Sequence, residues 1–453
     1  MMDVKNRHIV VAGAARSGIA VALLLKRKGS VPFVTDSGPI EPGYAEKLKN
    51  EKIPFEENGH SGRALEGDFL VLSPGVPSNS AIAKSYQNQK KQVFSEVEVA
   101  SWFCNSPIIA VTGSNGKTSV ASWLAHTWKL AGRKYILAGN IGTAFSDHVE
   151  QTSPEKNVLL EISSFQLDHI HQFHPEISII LNITPDHLDR YDHDFDNYAS
   201  SKLKITKNQN QADWFIYNVD DPILSNHAQK LVGEDKIPNA LAFSSTQEVA
   251  NGAFVRNGEL ILKLNNKEEQ LMHIGEIGLS GQHNLQNGMA TALAARASEI
   301  RNEFIRESLK TFEGVTHRLE LVRNFQGVRY VNDSKATNVN AVWFALDSYT
   351  VPVVLILGGR DKGNDYSILI PQIREKVHTI VAIGEAREKI YDQLGEIVPH
   401  LLEAGSMKEA VKLARKSAKR GEVVLLSPAC SSFDMFKNFE DRGNAFKQAV
   451  LEL

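Results

Sequence analysis

One segment of the chain combines residue types that bind phosphate. It reads Thr112-Gly113-Ser114-Asn115-Gly116-Lys117-Thr118, between a strand-like run at 107–111 and a helical pattern at 120–130. Glycines let such a turn point several backbone N–H groups inward, and the following helix adds partial positive charge. Lys117 can reach the outer phosphates of a nucleotide, and the Thr118 hydroxyl can ligate Mg²⁺. The segment predicts an ATP site, although Val111 stands where the common spacing has glycine.

Two further candidates follow strand-like runs that the same sheet could contain. Glu161 follows the apolar run 158–160, and His187 follows the run 177–183. The carboxyl ends of parallel strands face the ligand crevice, so Glu161 is a plausible Mg²⁺ ligand there. The alternative for Glu161 is a solvated acid at a strand end, and for His187 a structural histidine, because Mg²⁺ prefers oxygen. Lys202, on a predicted helix after an acidic loop, is by pattern alone a surface lysine.

A second glycine-containing turn lies near the start of the chain. It reads Gly13-Ala14-Ala15-Arg16-Ser17-Gly18 and precedes a helical pattern, with Asp36 at the end of the next strand. The order resembles a dinucleotide fingerprint, but Ala15 replaces the glycine that lets the backbone approach a pyrophosphate. A uridine-diphosphate site uses the same helix terminus equally well, so both a nucleotide-sugar site and an NAD site remain open.

These candidates need parallel sheets to position them, and the chain alternates strand and helix signals throughout. The 453 residues allow two to four domains. The alternation predicts an α/β fold of three units in series, with a hairpin insertion at 245–275 marked by Asn-Gly pairs. We place the boundaries at 1–96, 97–313 and 314–453.

Composition excludes several classes of protein. A net charge of −3 argues against a nucleic-acid binder. The two cysteines, Cys104 and Cys430, provide neither a disulfide framework nor a zinc site. Without a signal-peptide pattern or a membrane-spanning apolar run, we expect a cytoplasmic enzyme that does not insert into membranes.

Several motifs together resemble the Mur ligase family. Besides the segment 112–118, they comprise Glu161-Ile162-Ser163-Ser164-Phe165-Gln166, Asn182-Ile183-Thr184-Pro185-Asp186-His187-Leu188-Asp189, Gly281-Gln282-His283-Asn284, His317-Arg318-Leu319-Glu320 and Asn332-Asp333-Ser334-Lys335-Ala336-Thr337-Asn338. They occur in order over nearly the whole chain. The tail Leu426-Ser427-Pro428-Ala429-Cys430-Ser431-Ser432-Phe433-Asp434, with Phe436-Lys437-Asn438-Phe439, is similar to the members that add D-glutamate.

The resemblance implies a fold and an activity. The fold would be a Rossmann-like UDP-sugar domain, a P-loop ATP domain and a Rossmann-like glutamate domain. The activity would be ATP-dependent ligation of D-glutamate to UDP-N-acetylmuramoyl-L-alanine through an acyl phosphate, in peptidoglycan precursor synthesis, by a monomer. Two alternatives remain. The enzyme could ligate another amino acid, such as L-glutamate, or the chain could be an NAD-dependent oxidoreductase.

The resemblance also implies roles for matched residues. Lys117, Glu161, His187 and Lys202 would be catalytic, and Thr118, Glu161, His187 and a carbamylated Lys202 would hold two Mg²⁺ ions. The ATP site would comprise Gly113, Ser114, Asn115, Gly116, Lys117, Thr118, Ser119, Asn284, Asn287, Arg318 and Asp333. The UDP-sugar site would comprise Ala15, Arg16, Ser17, Gly18, Asp36, Gly75, Asn140, Gln166 and His187. The glutamate site would comprise Lys335, Thr337, Lys362, Ser432, Phe433 and Phe439.

Overall fold

The computed structural model describes residues 2–233, 239–265, 267–361 and 363–453. The chain forms three mainly parallel sheets with helices between the strands, so the predicted α/β class is confirmed. It divides into two compact units, of which unit 1 is Met1–Ile277 with Gln286–Thr311 and unit 2 is Gly278–Leu285 with Phe312–Leu453. The three predicted domain boundaries remain predictions.

The first sheet of unit 1 has the order β3-β2-β1-β4-β5, with every pair parallel. Continuous apolar runs such as Phe69–Leu72 form its central strands because both faces of the sheet are covered by helices. Its strands are β1 His8–Ala12, β2 Val31–Thr35, β3 Phe55–Glu56, β4 Phe69–Leu72 and β5 Val93–Ser95. The helices are α1 Arg16–Arg27, α2 Pro42–Asn50, α3 Ala81–Asn88 and α4 Glu96–Ser101.

The second sheet of unit 1 has the order β14-β13-β12-β11-β10-β9-β6-β8-β7. Its strands are β6 Ile108–Thr112, β7 Tyr135–Gly139, β8 Asn157–Glu161, β9 Ile177–Ile180, β10 Trp214–Asn218, β11 Asn239–Ser244, β12 Gly252–Arg256, β13 Glu259–Leu264 and β14 Lys267–His273. The helices are α5 Lys117–Leu130, α6 Ser164–Leu167, α7 Phe195–Leu203, α8 Pro222–Gly233, α9 Gln282–Ala297, which continues from unit 2, and α10 Asn302–Thr311.

The predicted insertion at 245–275 is the antiparallel part of this sheet. Asn257-Gly258 forms the turn between β12 and β13, with positive φ at both residues, as expected for this hairpin turn. The other pair, Asn251-Gly252, leads instead into β12, which pairs in parallel with β11.

The sheet of unit 2 has the order β15-β16-β20-β17-β18-β19 and is parallel except for the β15–β16 hairpin. Its strands are β15 Glu320–Phe325, β16 Val328–Asn332, β17 Val353–Gly358, β18 Val377–Ile383, β19 His400–Ala404 and β20 Val423–Leu426. The helices are α11 Val339–Asp347, α12 Ile370–Lys376, α13 Arg387–Leu394, α14 Met407–Ser417 and α15 Phe439–Leu451. None of the described helices combines the length and apolarity needed to cross a bilayer.

Candidate active site

The glycine-rich segment lies where β6 ends and α5 begins, as the sequence predicts. Gly116 precedes the helix with φ of 89°, a conformation that glycine adopts without strain. A Cβ at Gly116 would lie 2.6 Å from Oδ1 of Asn287, so this turn packs directly against α9. The helix begins at Lys117, three residues before the predicted pattern, because the turn itself supplies its first residues.

The two lysines of the predicted site meet at one backbone oxygen. Lys117 Nζ donates to the carbonyl oxygens of Gly113 and Ser114, each at 2.8 Å, and Lys202 Nζ donates to Gly113 at 2.8 Å. Lys202 is only 2% exposed, so the pattern-based interpretation of it as a surface lysine is wrong. Helix α7 packs against α6 and places Lys202 beneath the glycine-rich turn, a tertiary effect absent from its local sequence.

Burial changes the chemistry of Lys202. It lowers the pKa of the amine well below its usual value, and the positive charge of Lys117 lowers it further, whereas Asp186, Asp168 and Glu161 act in the opposite direction. The ammonium is therefore disfavoured, and a neutral amine is nucleophilic. Such an amine can add to CO₂ and lose a proton, which converts a cation into an anionic oxygen donor.

Glu161 ends β8, in register with Val111 of β6, and therefore lies beside the glycine-rich segment. It is 2% exposed, so the alternative of a solvated strand-end acid is wrong. Its Oε1 accepts a hydrogen bond of 2.9 Å from Asn140 Nδ2, whereas Oε2 is buried without a hydrogen-bond partner in the described residues. A buried, unpaired carboxylate oxygen is costly unless a ligand satisfies it.

His187 lies in the loop after β9, in a strained backbone conformation. Its φ is 52°, and its ring contacts the edge of the Phe165 ring at a centroid distance of 5.2 Å. Its Nε2 lies 3.8 Å from Asp186 Oδ2. A left-handed backbone is uncommon for histidine and typical of functional loops, which favours a functional over a purely structural role.

These residues fit a divalent cation by their donor chemistry. Glu161 offers an unpaired carboxylate oxygen and Thr118 a hydroxyl, and Lys202 would offer a further oxygen only if it were carbamylated; oxygen donors of this kind suit Mg²⁺. No cluster of three His, Cys, Asp or Glu side chains suited to a metal occurs in the described part of the chain.

Several of the predicted UDP-sugar residues, namely Ala15, Arg16, Ser17, Gly18, Asp36 and Gly75, follow strands of the first sheet at its carboxyl edge. Both oxygens of Asp36 accept backbone N–H groups, from Ala14 at 2.7 Å and from Gly38 at 2.9 Å, so its carboxylate braces two loops. Ala15, where a fingerprint has glycine, has φ of −93°, which alanine adopts without strain. Arg16, at the start of α1, donates to the Gly142 carbonyl and so reaches the loop that carries Asn140.

Two other predicted ligands keep buried polar atoms unpaired among the described residues. Gln166 is 1% exposed and accepts from Ser163 through Oε1, but its Nε2 has no partner. The Nδ2 of Asn115 is likewise buried and unpaired, although its backbone N–H donates to Asn182. Each is a donor that a bound ligand would satisfy.

Arg190 lies between two loops that carry candidate residues, and the sequence does not predict this position. Its guanidinium carbon lies 4.2 Å from the centre of the Phe165 ring and its N–H groups donate to the carbonyls of Pro74, Gly75 and Val76. Arg190 thereby connects the loop that carries Gly75 to the loop that carries His187. The only local signal is a cation three residues after His187, and this does not reveal its distant partners.

Unit 2 brings together another group of predicted residues. Asp333 is fully buried, accepts from Ser427 Oγ at 2.8 Å and lies 3.7 Å from Arg318. Burial raises the pKa of Asp333 to about 6, against the opposing charge of Arg318. In the same unit, Asn284 Nδ2 donates to the Ser280 carbonyl at 2.8 Å.

The described members of the predicted glutamate site belong to unit 2, on the loop after β16 and on the loop after β20 up to the first residue of α15. Lys335 Nζ is 5.3 Å from the centre of the Phe439 ring, Ser432 is buried and the Phe433 ring is 63% exposed. Thr337 lies between β16 and α11, close in sequence to Lys335, whereas Lys362 falls outside the described residues.

A buried arginine, absent from the sequence prediction, joins those two loops. Arg442 is 1% exposed and donates to Oγ and the carbonyl of Ser334 and to the carbonyls of Cys430 and Ser431. Burial lowers the pKa of Arg442 to about 10. It follows the motif at Phe439 by three residues on α15, where pattern alone predicts a surface cation.

Comparisons with known proteins agree with this arrangement. Three family models match in order, namely a MurD N-terminal domain at 9–82, a Mur ligase middle domain at 111–295 and a Mur ligase glutamate ligase domain at 317–430. The UDP-N-acetylmuramoylalanine–D-glutamate ligase of Salinibacter ruber is 47% identical, over 99% of this chain and 98% of its own length. The protein of the same name from Chloroherpeton thalassium is 44% identical over 100% and 99%.

Solved structures support the fold. The UDP-N-acetylmuramate–alanine ligase of Thermotoga maritima aligns with a TM-score of 0.61 at 17% identity, covering 98% of this chain and 99% of that one. A pseudomurein peptide ligase from Methanothermus fervidus aligns with a TM-score of 0.60 at 17% identity, covering 99% and 100%.

Proposed function

Because the chain belongs to the Mur ligase family, we propose that it joins D-glutamate to UDP-N-acetylmuramoyl-L-alanine and converts ATP to ADP and phosphate. The enzyme is an acid–amino-acid ligase of peptidoglycan precursor synthesis. Proteins that carry the name of this activity match it over essentially their whole length at 44–47% identity. An NAD-dependent oxidoreductase would leave the glycine-rich segment and Lys117 without a role.

The reacting group is the alanine carboxylate of UDP-N-acetylmuramoyl-L-alanine, which is a poor electrophile until it is activated. Its oxygen attacks the γ-phosphorus of ATP, ADP leaves, and an acyl phosphate forms. The amine of D-glutamate then attacks the acyl carbon, the tetrahedral intermediate expels phosphate, and the amine loses a proton as the amide forms. The protein acts mainly by positioning the reactants and stabilising charge.

The geometric observation that best supports this proposal is the unpaired Oε2 of Glu161 beside the glycine-rich segment. Lys117 would turn from the carbonyls of Gly113 and Ser114 to the phosphates, while the backbone N–H groups of the turn orient them. Thr118 and Glu161 would hold one Mg²⁺, and His187 with carbamylated Lys202 a second. Mg²⁺ would offset the negative charge that develops on the transferring phosphoryl group.

The remaining residues would bind the two other substrates. In unit 1, the α1 turn from Ala15 to Gly18, together with Asp36, Gly75, Asn140 and Gln166, would receive the UDP-sugar. In unit 2, Lys335, Thr337, Ser432, Phe433 and Phe439 would receive the glutamate, and Arg318 and Asp333 would contact the nucleotide. Lys335 supplies a cation for a dicarboxylate beside the Phe439 ring.

Phosphate release tests the proposal directly. The complete mixture of UDP-N-acetylmuramoyl-L-alanine, ATP, Mg²⁺ and D-glutamate should release phosphate, and each single omission should reduce the rate to background. L-glutamate is the matched control for stereochemistry. Folded protein without phosphate release in the complete mixture would refute the assignment, and equal rates with both enantiomers would refute its D-specificity.

A further inference from the structure

One buried carboxylate of unit 1, that of Glu96, has no part in the proposed chemistry. Glu96, the first residue of α4, is fully buried, and its Oε1 accepts from the backbone N–H of Ser146 at 2.7 Å and from its hydroxyl at 2.6 Å. Its Oε2 is buried without a hydrogen-bond partner in the described residues. Ser146 is fully buried too, in a 3-10 turn at Phe145–Asp147.

That turn closes the loop 139–144, which carries Asn140 and which we call the substrate loop. At its start, Asn140 bonds to Glu161 through both its backbone N–H and its Nδ2, each at 2.9 Å. In its middle, Gly142 accepts from Arg16. At its end, Ser146 bonds to Glu96. The substrate loop is thus held by three contacts. Of the three partners, Glu161 is a proposed metal ligand and Arg16 a proposed substrate ligand, whereas Glu96 is a buried carboxylate without a proposed role in binding or catalysis.

We infer that Glu96 is a positioning residue that holds the substrate loop in the conformation that binds the UDP-sugar substrate. This inference rests on the proposed function, because it takes Asn140 and Arg16 as ligands of that substrate. Without Glu96, both buried donors of Ser146 would lose their acceptor, and the turn that ends the loop would have to rearrange to reach water.

The surroundings of Glu96 make its ionisation, and with it the stability of the fold, depend on pH near neutrality. The pKa of Glu96 is raised to about 7, mainly by burial and also by the charge of Asp147, while the Ser146 hydrogen bonds and the charge of Arg16 act in the opposite direction. Helix α4 also packs against β4 and β5, whose sequences contain no titratable side chain, and against α1, which contributes Arg16. The neutral acid is therefore substantially populated near pH 7.

The kinetic test compares Glu96→Ala, Glu96→Gln and Ser146→Ala with the unaltered enzyme. Loss of the anchor should raise the KM and the calorimetric Kd for UDP-N-acetylmuramoyl-L-alanine about tenfold, and leave kcat and the KM for ATP within about threefold. Glu96→Gln should restore near-normal values, because its amide oxygen can still accept from Ser146. Ser146→Ala should give a smaller rise, since its backbone N–H remains.

Glu98→Gln is the matched control, two residues along the same helix. Glu98 is also fully buried, but it accepts from Trp102 and from the backbone of His171, Gln172 and Phe173, away from the substrate loop. The Glu98→Gln variant should have a lower Tm than the unaltered enzyme, without a selective change in the KM for the UDP-sugar. An unchanged KM and Kd in Glu96→Ala, or an equal rise for all three substrates, would overturn the inference.

A stability measurement keeps the inference testable if Glu96→Ala does not fold. Neutral Glu96 stabilises the fold, and this contribution is complete below a pH of about 4.5 and is lost as the pH rises through about 7. Glutamine cannot ionise, so Glu96→Gln should gain Tm relative to the unaltered enzyme between about pH 5 and about pH 8. If the Tm difference between Glu96→Gln and the unaltered enzyme stayed constant over that interval, Glu96 would not have the raised pKa of a buried carboxyl group, and the inference would be contradicted. If the unaltered enzyme shows no turnover, the proposed function fails, while calorimetric binding of the UDP-sugar still tests Glu96.

Discussion

Lys117 and Lys202 donate to the same acceptor, the carbonyl oxygen of Gly113, each at a distance of 2.8 Å. One lysine is the last but one residue of the glycine-rich segment, and the other comes from a helix much later in the chain. Two amines this close repel each other when both are charged, and burial disfavours the charge on Lys202. Burial therefore favours the neutral amine at Lys202, whereas we propose Lys117 as the cation that binds phosphate.

Replacement of Lys117 by alanine should reduce the rate of phosphate release at least about 100-fold, because the charge that stabilises the transferring phosphoryl group is removed. Calorimetric binding of UDP-N-acetylmuramoyl-L-alanine should be preserved, since its predicted ligands lie elsewhere in unit 1. Lys129→Ala, an exposed lysine near the other end of α5, is the control and should behave as the unaltered enzyme. If Lys117→Ala lost both phosphate release and binding of UDP-N-acetylmuramoyl-L-alanine, the assignment of separate ATP and UDP-sugar sites would be contradicted.

Lys202 should carry a carbamate when the enzyme is supplied with bicarbonate. Carbon-13-labelled bicarbonate should give a carbamate resonance that disappears in Lys202→Ala and persists in Lys207→Ala, which removes an exposed lysine. Lys202→Ala should also lower turnover about 100-fold, because an oxygen ligand is lost. A fully active enzyme without any carbamate signal would refute this role.

The lowered pKa of Lys202 also predicts a pH effect on stability in the absence of CO₂. Between pH 10.5 and the lower pKa of the folded state, the unfolded chain binds more protons, so stability falls as the pH falls. Lys202→Met removes this dependence, and its Tm should rise relative to the unaltered protein as the pH is lowered from about 10 to about 7. A Tm difference that is independent of pH would show that burial does not affect the amine.

The contrast between Glu161 and Lys202 shows what the sequence could predict. Glu161 is identifiable because an apolar strand ends immediately before it, and strand ends define the ligand edge of a parallel sheet. The Lys202 amine lies over the ring of Tyr198, one turn earlier on the same helix, but it is buried against Gly113, a residue 89 positions earlier in the chain that the local pattern does not reveal. Without the family resemblance, its position would have predicted a solvent-exposed side chain.

The same limit explains the errors in the fold. The sequence also predicts strands at Val31–Thr35, Phe69–Leu72 and Val423–Leu426, and the structure has β2, β4 and β20 with these bounds. A strand at Arg329–Val331 is predicted and corresponds to β16, but its hairpin partner β15 was missed because the turn, Gln326-Gly327, lacks the usual Asn or Asp, and β15 is only partly buried. Arg190 and Arg442 were missed because their partners are backbone carbonyls of distant loops, which leave no sequence pattern.

Removal of Arg190 should weaken binding of the UDP-sugar substrate. Arg190→Ala frees the carbonyls of Pro74, Gly75 and Val76, so the KM for this substrate should rise about tenfold while the KM for D-glutamate stays unchanged. Arg190→Lys should recover little, because a lysine cannot present the planar fork that stacks on Phe165. Arg133→Ala, an exposed arginine, provides the control, and a KM for the UDP-sugar equal to that of the control would contradict the role.

Removal of Arg442 should weaken the binding of D-glutamate. Arg442→Met leaves the carbonyls of Ser334, Cys430 and Ser431 without their donor, and the KM for D-glutamate should rise about tenfold with the KM for the UDP-sugar unchanged. Arg420→Met removes an exposed arginine of unit 2 and should leave both values unchanged. A parallel rise in both KM values would assign Arg442 to general stability instead.

The central claim is that ATP activates the substrate carboxylate as an acyl phosphate, and isotope transfer tests it most directly. UDP-N-acetylmuramoyl-L-alanine labelled with oxygen-18 in the alanine carboxylate is incubated with ATP, Mg²⁺ and D-glutamate, and the phosphate and the product are analysed by mass spectrometry. The account predicts that each phosphate released carries one labelled oxygen from that carboxylate and that the product gains the mass of one glutamate residue. Unlabelled phosphate, or phosphate release without the amide product, would contradict it.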